Sequence, residues 1–451
     1  SGGVEWNIGT IGHSPFTCSP LFAARVQRDD GTPMLRMYEW ERIRQVPFQI
    51  DVYLPKSAPV LLVWIRIVNP HPRTIPMYWW SNIAVPETKD TRVIVPAEAA
   101  YQFGYNKNGL GLVSIPEINR IDISYPTNIT HSADFFFHIP SGARPWIAAL
   151  DGQGKGLVQV STERLLGRKL FVWGTGVGGR TWQCFLSKPG YAYSEIQAGL
   201  ARTQMEHVPM PAQTEWAWLE AYGFIEADPS AVHSQDWTEA QHAVQVQLER
   251  LIPRSVLDEE FEYGAVLADR PPEELFQRGA GWGALERLRR AASGEPPFCS
   301  EALVFDVTSL GEAQQPWIDL LKRRIAPDVN PDVAPCGYMV QKEWHRLLEK
   351  SARGGEMNWL MWLHLGVMRY YIGDRSGARQ AWETSLDYEQ TPWALRNLAF
   401  LAYEDGWLDE AADLYIAACR MRPSLLPLAV ECGEVLIDMG RPREWLNLLT
   451  V

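Results

Sequence analysis

The chain reads as a multidomain protein, β then α: an antiparallel β-sandwich, a helical region, and a solenoid of helical repeats. Three observations carry that reading. From Ser1 to about Val208, short runs rich in Val, Ile, Tyr, Phe and Trp are separated by Pro, Gly, Asn and Asp clusters, the punctuation of β structure. Beyond Pro211, apolar residues recur at helical spacing. Towards the C-terminus the sequence repeats itself, with Gly373, Gly406 and Gly440 at intervals of 33 and 34 residues.

Composition narrows the partners. At 451 residues the chain has material for several cores, and 42 Lys and Arg against 54 Asp and Glu leave a net charge of −12 that repels phosphate backbones. Nucleic acid is therefore not an expected partner. Hydrophobic residues at 46% and charged residues at 21% describe a folded globular chain rather than a disordered or fibrous one. The longest apolar stretch, Ala58 to Val68, is broken by Pro59 and Arg66 and falls short of a membrane span, so no membrane is expected. Six cysteines, Cys18, Cys184, Cys299, Cys336, Cys419 and Cys432, contain no C-x-x-C pair. They suit free thiols in a cytoplasmic protein better than disulfides or zinc. The opening residues Ser1, Gly2 and Gly3 carry no apolar signal core and read as an interior cut, so the sandwich is expected to be N-terminally truncated.

The expected strands include Phe48 to Leu54, Val60 to Val68, Arg92 to Val95, Asp134 to Ile139, Lys169 to Trp173 and Tyr191 to Gln197. Their number and close spacing predict antiparallel pairing rather than βαβ units. Gly174, Gly176 and Gly179 match G-x-G-x-x-G, but the segment Arg180 to Leu186 is too short for a dinucleotide-binding helix, so a glycine-rich hairpin is predicted.

A helix is predicted over Thr214 to Tyr222. A stronger one spans Trp237 to Leu251, where Ala240, Val244, Leu248 and Leu251 share a face and Thr238 with Gln241 forms a capping box. Further helices are expected at Gly281 to Ala292, Glu312 to Arg324 and Gln341 to Ala352. The run Ala302 to Val307 reads as an isolated strand or a buried loop. Trp216, Trp218, Tyr222 and Phe224 need cover, so the connecting region, 209–335, is expected to pack on the sandwich, 1–208.

The repeat occupies 336–451. Leu365, Gly366 and Tyr370 precede the first aligned glycine, and Ala378 and Trp382 follow it; Leu398, Ala399 and Ala402 precede the second, and Ala411 and Tyr415 follow. This resembles the tetratricopeptide repeat, a helix–turn–helix unit in which small residues admit large ones from the neighbouring helix. A third copy, with Cys432, Gly433, Leu436 and Gly440, is expected to stop at Val451 before its second helix is complete, and the helices around Trp344 and Trp359 to cap the array. The concave face of such repeats receives extended peptides. A groove covered by the rest of the chain would leave recruitment without a basis.

Candidate chemistry concentrates on the strand Tyr191 to Ala198. A period of two puts Tyr193, Glu195 and Gln197 on one face and Ala192, Ser194, Ile196 and Ala198 on the other. Gln204 and Glu206 again share a face, with His207 opposite. Such a polar face is commonly just solvated, yet Trp173 and Trp182 nearby suit stacking on a sugar ring. No His or Cys spacing suggests a metal, and no cofactor is implied.

The run Glu195 to Leu200, then Met210, Pro211, Glu215, Trp218 and Glu220, resembles the closing strands of galactose-mutarotase-like domains. The segment Val68 to Val85 resembles the strand pair that bears a catalytic histidine there. With the repeats, the layout resembles a bacterial domain-of-unknown-function family of the same two-part architecture. The resemblance implies an antiparallel β-supersandwich that binds saccharides, with Glu195 at the position of the catalytic Glu. Trp79 and Trp80 occupy the segment of the histidine and cannot exchange a proton with a ring oxygen. The resemblance thus implies a carbohydrate-active protein of glycoside hydrolase or sugar epimerase kind, with Glu195, Glu5 and Glu206 as catalytic candidates. Glu39, Asp51, Glu87 and Asp134 are further carboxylates that could partner Glu195. Trp79, Trp80, Trp173, Trp182, Tyr193, Gln197, Gln204 and His207 are the substrate-binding candidates. The alternative is a saccharide-binding scaffold or sensor that recruits a protein through its repeats.

Overall fold

Short apolar runs with a period of two pair into sheets, and the computed structural model describes residues 3–56, 58–105, 109–323, 329–335 and 337–449. The expected residues Ser1, Gly2, Arg324, Cys336 and Val451 lie outside the described ones. The first strands are β1 (Val4–Ile8), β2 (Phe22–Gln27), β3 (Pro33–Glu41), β4 (Val46–Tyr53) and β5 (Val60–Asn69). β6 (Ile75–Met77), β7 (Trp79–Pro86), β8 (Arg92–Ile94), β9 (Ala99–Phe103) and β10 (Leu110–Ser114) follow. Next come β11 (Glu117–Ile118), β12 (Ile121–Asp122), β13 (Ala133–Phe137), β14 (Trp146–Leu150), β15 (Lys155–Ser161) and β16 (Gly167–Val172). Helix α1 (Val177–Leu186) intervenes before β17 (Tyr193–Gly199), β18 (Val208–Met210) and β19 (Thr214–Glu226).

Among the described residues, one sheet has seven strands in the order β1-β7-β17-β16-β13-β9-β10. A second has nine, counting β20 (Glu274–Gln277), in the order β20-β2-β3-β4-β5-β19-β15-β14-β8, and β11 with β12 and β18 with β6 form two-stranded sheets. The pairs are antiparallel, as strand number and spacing predicted. The inner faces of the two large sheets share a core in which Trp79 and Ala198 meet Ile50, Ile65 and Trp218.

The nine-stranded sheet is covered on its outer face as well. Helices α3 (Trp237–Leu251) and α4 (Arg254–Leu267), preceded by the short α2 (Pro229–Val232), lay Val244, Leu248 and Leu257 against Leu62 and Trp64. The end of α4 is held by buried cations. Arg36 makes a bidentate pair with Asp51 at 2.8 and 2.9 Å and donates to the carbonyls of Leu267 (2.9 Å) and Arg270 (2.7 Å), while Arg66 donates to that of Ala268 at 3.1 Å. The orphan carbonyls of a helix end thus meet the charge that suits them.

That double covering explains one correction. Thr214 to Tyr222 is not a helix but the start of β19, the longest strand of the sheet, paired with β5 on one side and β15 on the other. A central strand buried on both faces loses the apolar–polar alternation and can imitate a helical spacing. A second correction concerns Gly174, Gly176 and Gly179. They lead into α1, not a hairpin, and a Cβ on Gly179 would lie 2.1 Å from the Gly174 carbonyl oxygen, so the tight turn requires glycine. β16 and β17 are antiparallel neighbours, which removes any dinucleotide-binding reading. A third shifts the cap of α3 to Asp236, whose carboxylate accepts from the backbone of Thr238 and Glu239, in place of a Thr238–Gln241 box.

The chain divides into two compact units, 1–283 with 297–305, and 284–296 with 306–451. In the second, α5 (Trp282–Ser293) is followed by α6 (Gln315–Arg323), α7 (Lys342–Gly354), α8 (Trp359–Tyr371), α9 (Arg375–Tyr388), α10 (Pro392–Glu404), α11 (Leu408–Met421), α12 (Leu426–Asp438) and α13 (Pro442–Leu449). Ala302 to Val307 contains a loop in which Ala302, Leu303 and Phe305 are buried. The aligned glycines have φ of 87°, 80° and 73° at Gly373, Gly406 and Gly440, the left-handed turn that ends the first helix of each repeat. The small residues do what the repeat pattern requires: a Cβ on Gly366 would lie 2.2 Å from the Trp382 indole, and one on Gly433 2.5 Å from that of Trp445.

Gly199 closely approaches Trp80, and a Cβ there would fall 2.2 Å from the ring. Trp80 is fully buried and cannot yield. Gly199→Ala is expected to lower unfolding stability by about 1–3 kcal/mol, the cost of overpacking a filled core, read as a lower midpoint in urea.

Candidate functional site

The outer face of the seven-stranded sheet is polar where its inner face is apolar. Antiparallel register carries Glu5, Asn82, Gln197 and Lys169 across β1, β7, β17 and β16 in one row, and Glu195, Phe171 and Asp134 across β17, β16 and β13 in the next. Side chains in each row share a face. As predicted, Tyr193, Glu195 and Gln197 project together, while Ser194, Ile196 and Ala198 turn into the core.

These groups form two connected strings. In the first, Tyr105 donates to Asp134 at 2.9 Å, and Asp134 pairs with Lys169 at 2.7 Å. Lys169 donates to Gln204 (2.5 Å), Gln204 to Gln197 (2.7 Å), and Gln197 to Glu195 (2.8 Å). In the second, Asn82 donates to Glu5 at 3.2 Å, and the Nδ1 of His13 lies 3.0 Å from the same carboxylate. His13 comes from the loop after β1, brought back over the sheet edge.

The two carboxylates are driven apart in acidity. Burial raises Glu195, against the pull of Lys169 and of the Gln197 hydrogen bond. The His13 hydrogen bond and charge lower Glu5, and Glu5 in turn raises His13. Burial lowers the Lys169 ammonium despite its Asp134 partner. Two interacting acids with opposite shifts are the arrangement from which an acid and a base can be assigned. Glu5 and Glu195 stand two strands apart, which places their backbones about 10 Å apart across the sheet.

An aromatic wall rises beside Glu195. Trp173 stacks on Trp182 with ring centres 6.0 Å apart and planes at 24°, and meets Tyr193 and Phe171 edge-on at 6.2 and 4.8 Å. Trp182, carried by α1, is half exposed. On the far side of Glu5, a cavity of about 370 Å³ is lined by Trp6, Phe16, Glu39, Trp40, Arg42 and Trp282. Burial raises Glu39 there to about 7.

Four expected residues stand elsewhere. Trp79 has the parity of the inner face, packs edge-on against Trp218 at 5.2 Å, and offers no surface to a ligand. Trp80 has the outer parity but is sealed beneath Gly167 and Gly199. Glu206 lies in a turn rather than a strand and accepts from the backbone and hydroxyl of Thr203, so its recorded bonds are local. His207 sits against Arg44 and the Tyr78 ring, and burial with the Arg44 charge lowers it. Of the other carboxylates, Asp51 is spent on Arg36, and Glu87 accepts from Ser194.

His13, Asn82, Lys169 and Tyr105 were not read as site residues. Lys169 left a signal: a lysine inside an apolar strand and 4% exposed needs a partner. His13 left none, because only the return of a loop brings it to Glu5.

Residues 1–215 match the model of a family described as a domain of unknown function (DUF5107). A TPR-domain containing protein from Parabacteroides distasonis shares the chain course over the whole of this chain and 69% of its own, with 17% identity and a TM-score of 0.61. A galactose mutarotase-like protein from Clostridium acetobutylicum aligns with 48% of this chain and 69% of its own, at 9% identity and a TM-score of 0.36. The chain is therefore a β-supersandwich followed by a tetratricopeptide-type solenoid, the two-part layout that the sequence resemblance implied.

The Glu5–His13 pair makes stability depend on pH from both sides. Glu5, lowered from 4.5, contributes above that value and loses its contribution as pH falls through its folded pKa; His13, raised from 6.5, contributes below that value and loses it as pH rises through its own. His13→Ala is expected to destabilise most near about pH 5.5 and hardly at all by about pH 9. Urea midpoints of both proteins at the two pH values check this.

Proposed function

We propose that the outer face of the seven-stranded sheet is a saccharide site, and that the protein acts there on an anomeric carbon. The observation that carries this reading is the pairing of an aromatic wall, Trp173, Trp182 and Tyr193, with two carboxylates of opposite acidity. Aromatic faces take up the C–H face of a pyranose, and a polar floor of Gln197, Gln204, Asn82 and Lys169 offers donors and acceptors to its hydroxyls. Glu195, whose carboxyl burial pushes up, serves as general acid to the ring or glycosidic oxygen. Glu5, which the His13 hydrogen bond holds down, serves as base or nucleophile. His13 supplies an imidazole that the Trp79–Trp80 segment does not. Among the described residues Cys18, Cys184, Cys299, Cys419 and Cys432 form no disulfide, which supports a reducing, cytoplasmic setting. No described helix is long and apolar enough to cross a membrane.

The test separates binding from turnover. A glycan array identifies the sugar, and reducing-end and anomer-exchange assays measure chemistry on it. Glu195→Gln is expected to keep binding and to lose about 10²–10⁴-fold in turnover, while Trp182→Ala weakens binding about tenfold. Unchanged turnover in Glu195→Gln would remove that residue from the mechanism, and full glycan binding by wild type without turnover on any bound sugar would leave a binding module.

A further inference from the structure

The solenoid already holds a peptide, and it is a piece of the chain itself. Residues Val329–Pro335 and Gly337 lie across the face formed by the first helices of the repeats, α8, α10 and α12. The indole N–H of Trp359, at the start of α8, donates to the carbonyl of Val329 at 3.1 Å. That of Trp393, at the start of α10 and 34 residues on, donates to the carbonyl of Pro331 at 3.2 Å. Trp317 donates to the carbonyl of Gly337 at 3.1 Å, and Arg422 pairs with the Asp332 carboxylate at 2.9 Å. Val329 packs into the cluster of Trp359, Leu363 and Trp382. An Asx turn shapes the middle, the Asn330 side chain accepting from the backbone N–H of Asp332 at 2.9 Å.

These are the bonds of ligand recognition. Backbone carbonyls of one segment are read by side-chain donors set at the repeat interval, and a single carboxylate meets a single arginine. The segment is superficial: Asn330, Asp332, Val333 and Ala334 are exposed, with the Asp332 side chain at 80%. Beside its C-terminal end an open pocket of about 370 Å³ is lined by Pro335, Tyr338, His364, Trp393, Arg396 and Glu431. A core element would not leave four of its seven side chains in solvent.

We propose that the groove of the repeats is a peptide site held closed by Val329–Pro335, and that its partner is a protein segment of the same chemistry. Such a segment carries a proline-containing turn with two carbonyls for Trp359 and Trp393 and an aspartate for Arg422. The groove is covered, as a purely structural array would have it, but by a short strap whose anchors a competing segment can replace. An intramolecular competitor multiplies the apparent affinity of the partner by the fraction of open grooves, and so weakens it.

The test uses the full chain with residues 329–335 replaced by seven glycine and serine residues, and a fluorescent peptide of sequence Val-Asn-Pro-Asp-Val-Ala-Pro. By anisotropy the peptide is expected to bind the strap-replaced chain about tenfold or more tightly than wild type, and to lose that gain when Trp359→Phe and Trp393→Phe are added. Equal binding by the two chains, or a gain that survives both substitutions, would overturn the proposal. So would loss of the helical melting transition on strap replacement, which would make the strap part of the core. Hydrogen exchange on the unaltered chain gives an independent reading: strap amides are expected to exchange well ahead of those in α8 and α10, and equal protection would overturn the proposal. A strap exchanged between two copies, seen as a dimer of wild type, would overturn it too.

Discussion

Glu220 lies at the middle of β19 with no exposure to water, between two sheets whose other inner residues are mostly apolar. A buried carboxylate survives only if its oxygens are engaged, and here they accept from Ser81 (2.7 Å), Gln159 (3.1 Å), Tyr222 (2.6 Å) and the Trp218 indole (3.3 Å). Ser81 belongs to β7 of the seven-stranded sheet and the others to the nine-stranded one, so this acceptor ties the sheets at one register. Arg168 completes the arrangement. Fully buried, it donates to Pro145, Leu165 and Gly167 carbonyls at 2.8 Å, and desolvation brings it down to about 10 against the pull of Glu220. A slip of one residue in β16 or β17 would bring the apolar set outward and strand these groups in the core.

The site on the outer face depends on that register through parity. Arg168 points in and Lys169 points out; Ser194 points in and Glu195 points out; Trp79 points in and Trp80 points out. Each inward residue fixes the orientation of its neighbour, so the order that assembles Glu5, Asn82, Gln197 and Lys169 in one row is inherited from the packing beneath. This accounts for the close approach of Gly167 and Gly199 to Trp80 as well. That indole fills the outer layer below the polar row and leaves no room for a Cβ on the strands that carry Lys169 and Gln197.

What the sequence discloses follows from how local each determinant is. The glycine turns of the repeats were legible because a left-handed residue leaves a mark on a single position, and Gly373, Gly406 and Gly440 carry it at regular intervals. The faces of β17 were legible because one side is polar and the other apolar. β19 was not, because a strand buried on both sides has no alternation to read. Trp79 and Trp80 were taken together although successive strand residues part company, and only pairing with β1 and β17 shows which of them faces outward. His13 and the strap were beyond reach for a different reason: each acts on residues far along the chain, and neither a loop nor an irregular segment carries a period.

The outer face of the seven-stranded sheet is also a position at which polarity is costly. Lys169, Gln197, Asn82 and Asp134 are each 5% exposed or less, so they are neither the solvated fringe of a sheet nor an apolar core. A fold needs no such layer for stability, since apolar residues of similar volume serve as well or better. The strings of hydrogen bonds that link these groups also orient them, and Glu195 stands at the end of one string while Glu5 is held between Asn82 and His13 in the other. Buried side chains linked by hydrogen bonds to two accessible carboxylates make a preorganised support, in which the inner members hold the outer ones at a fixed geometry. The sandwich thus commits its buried polar residues to positioning these two acids, and that arrangement, more than the identity of either acid alone, is what supports the proposed site on the outer face.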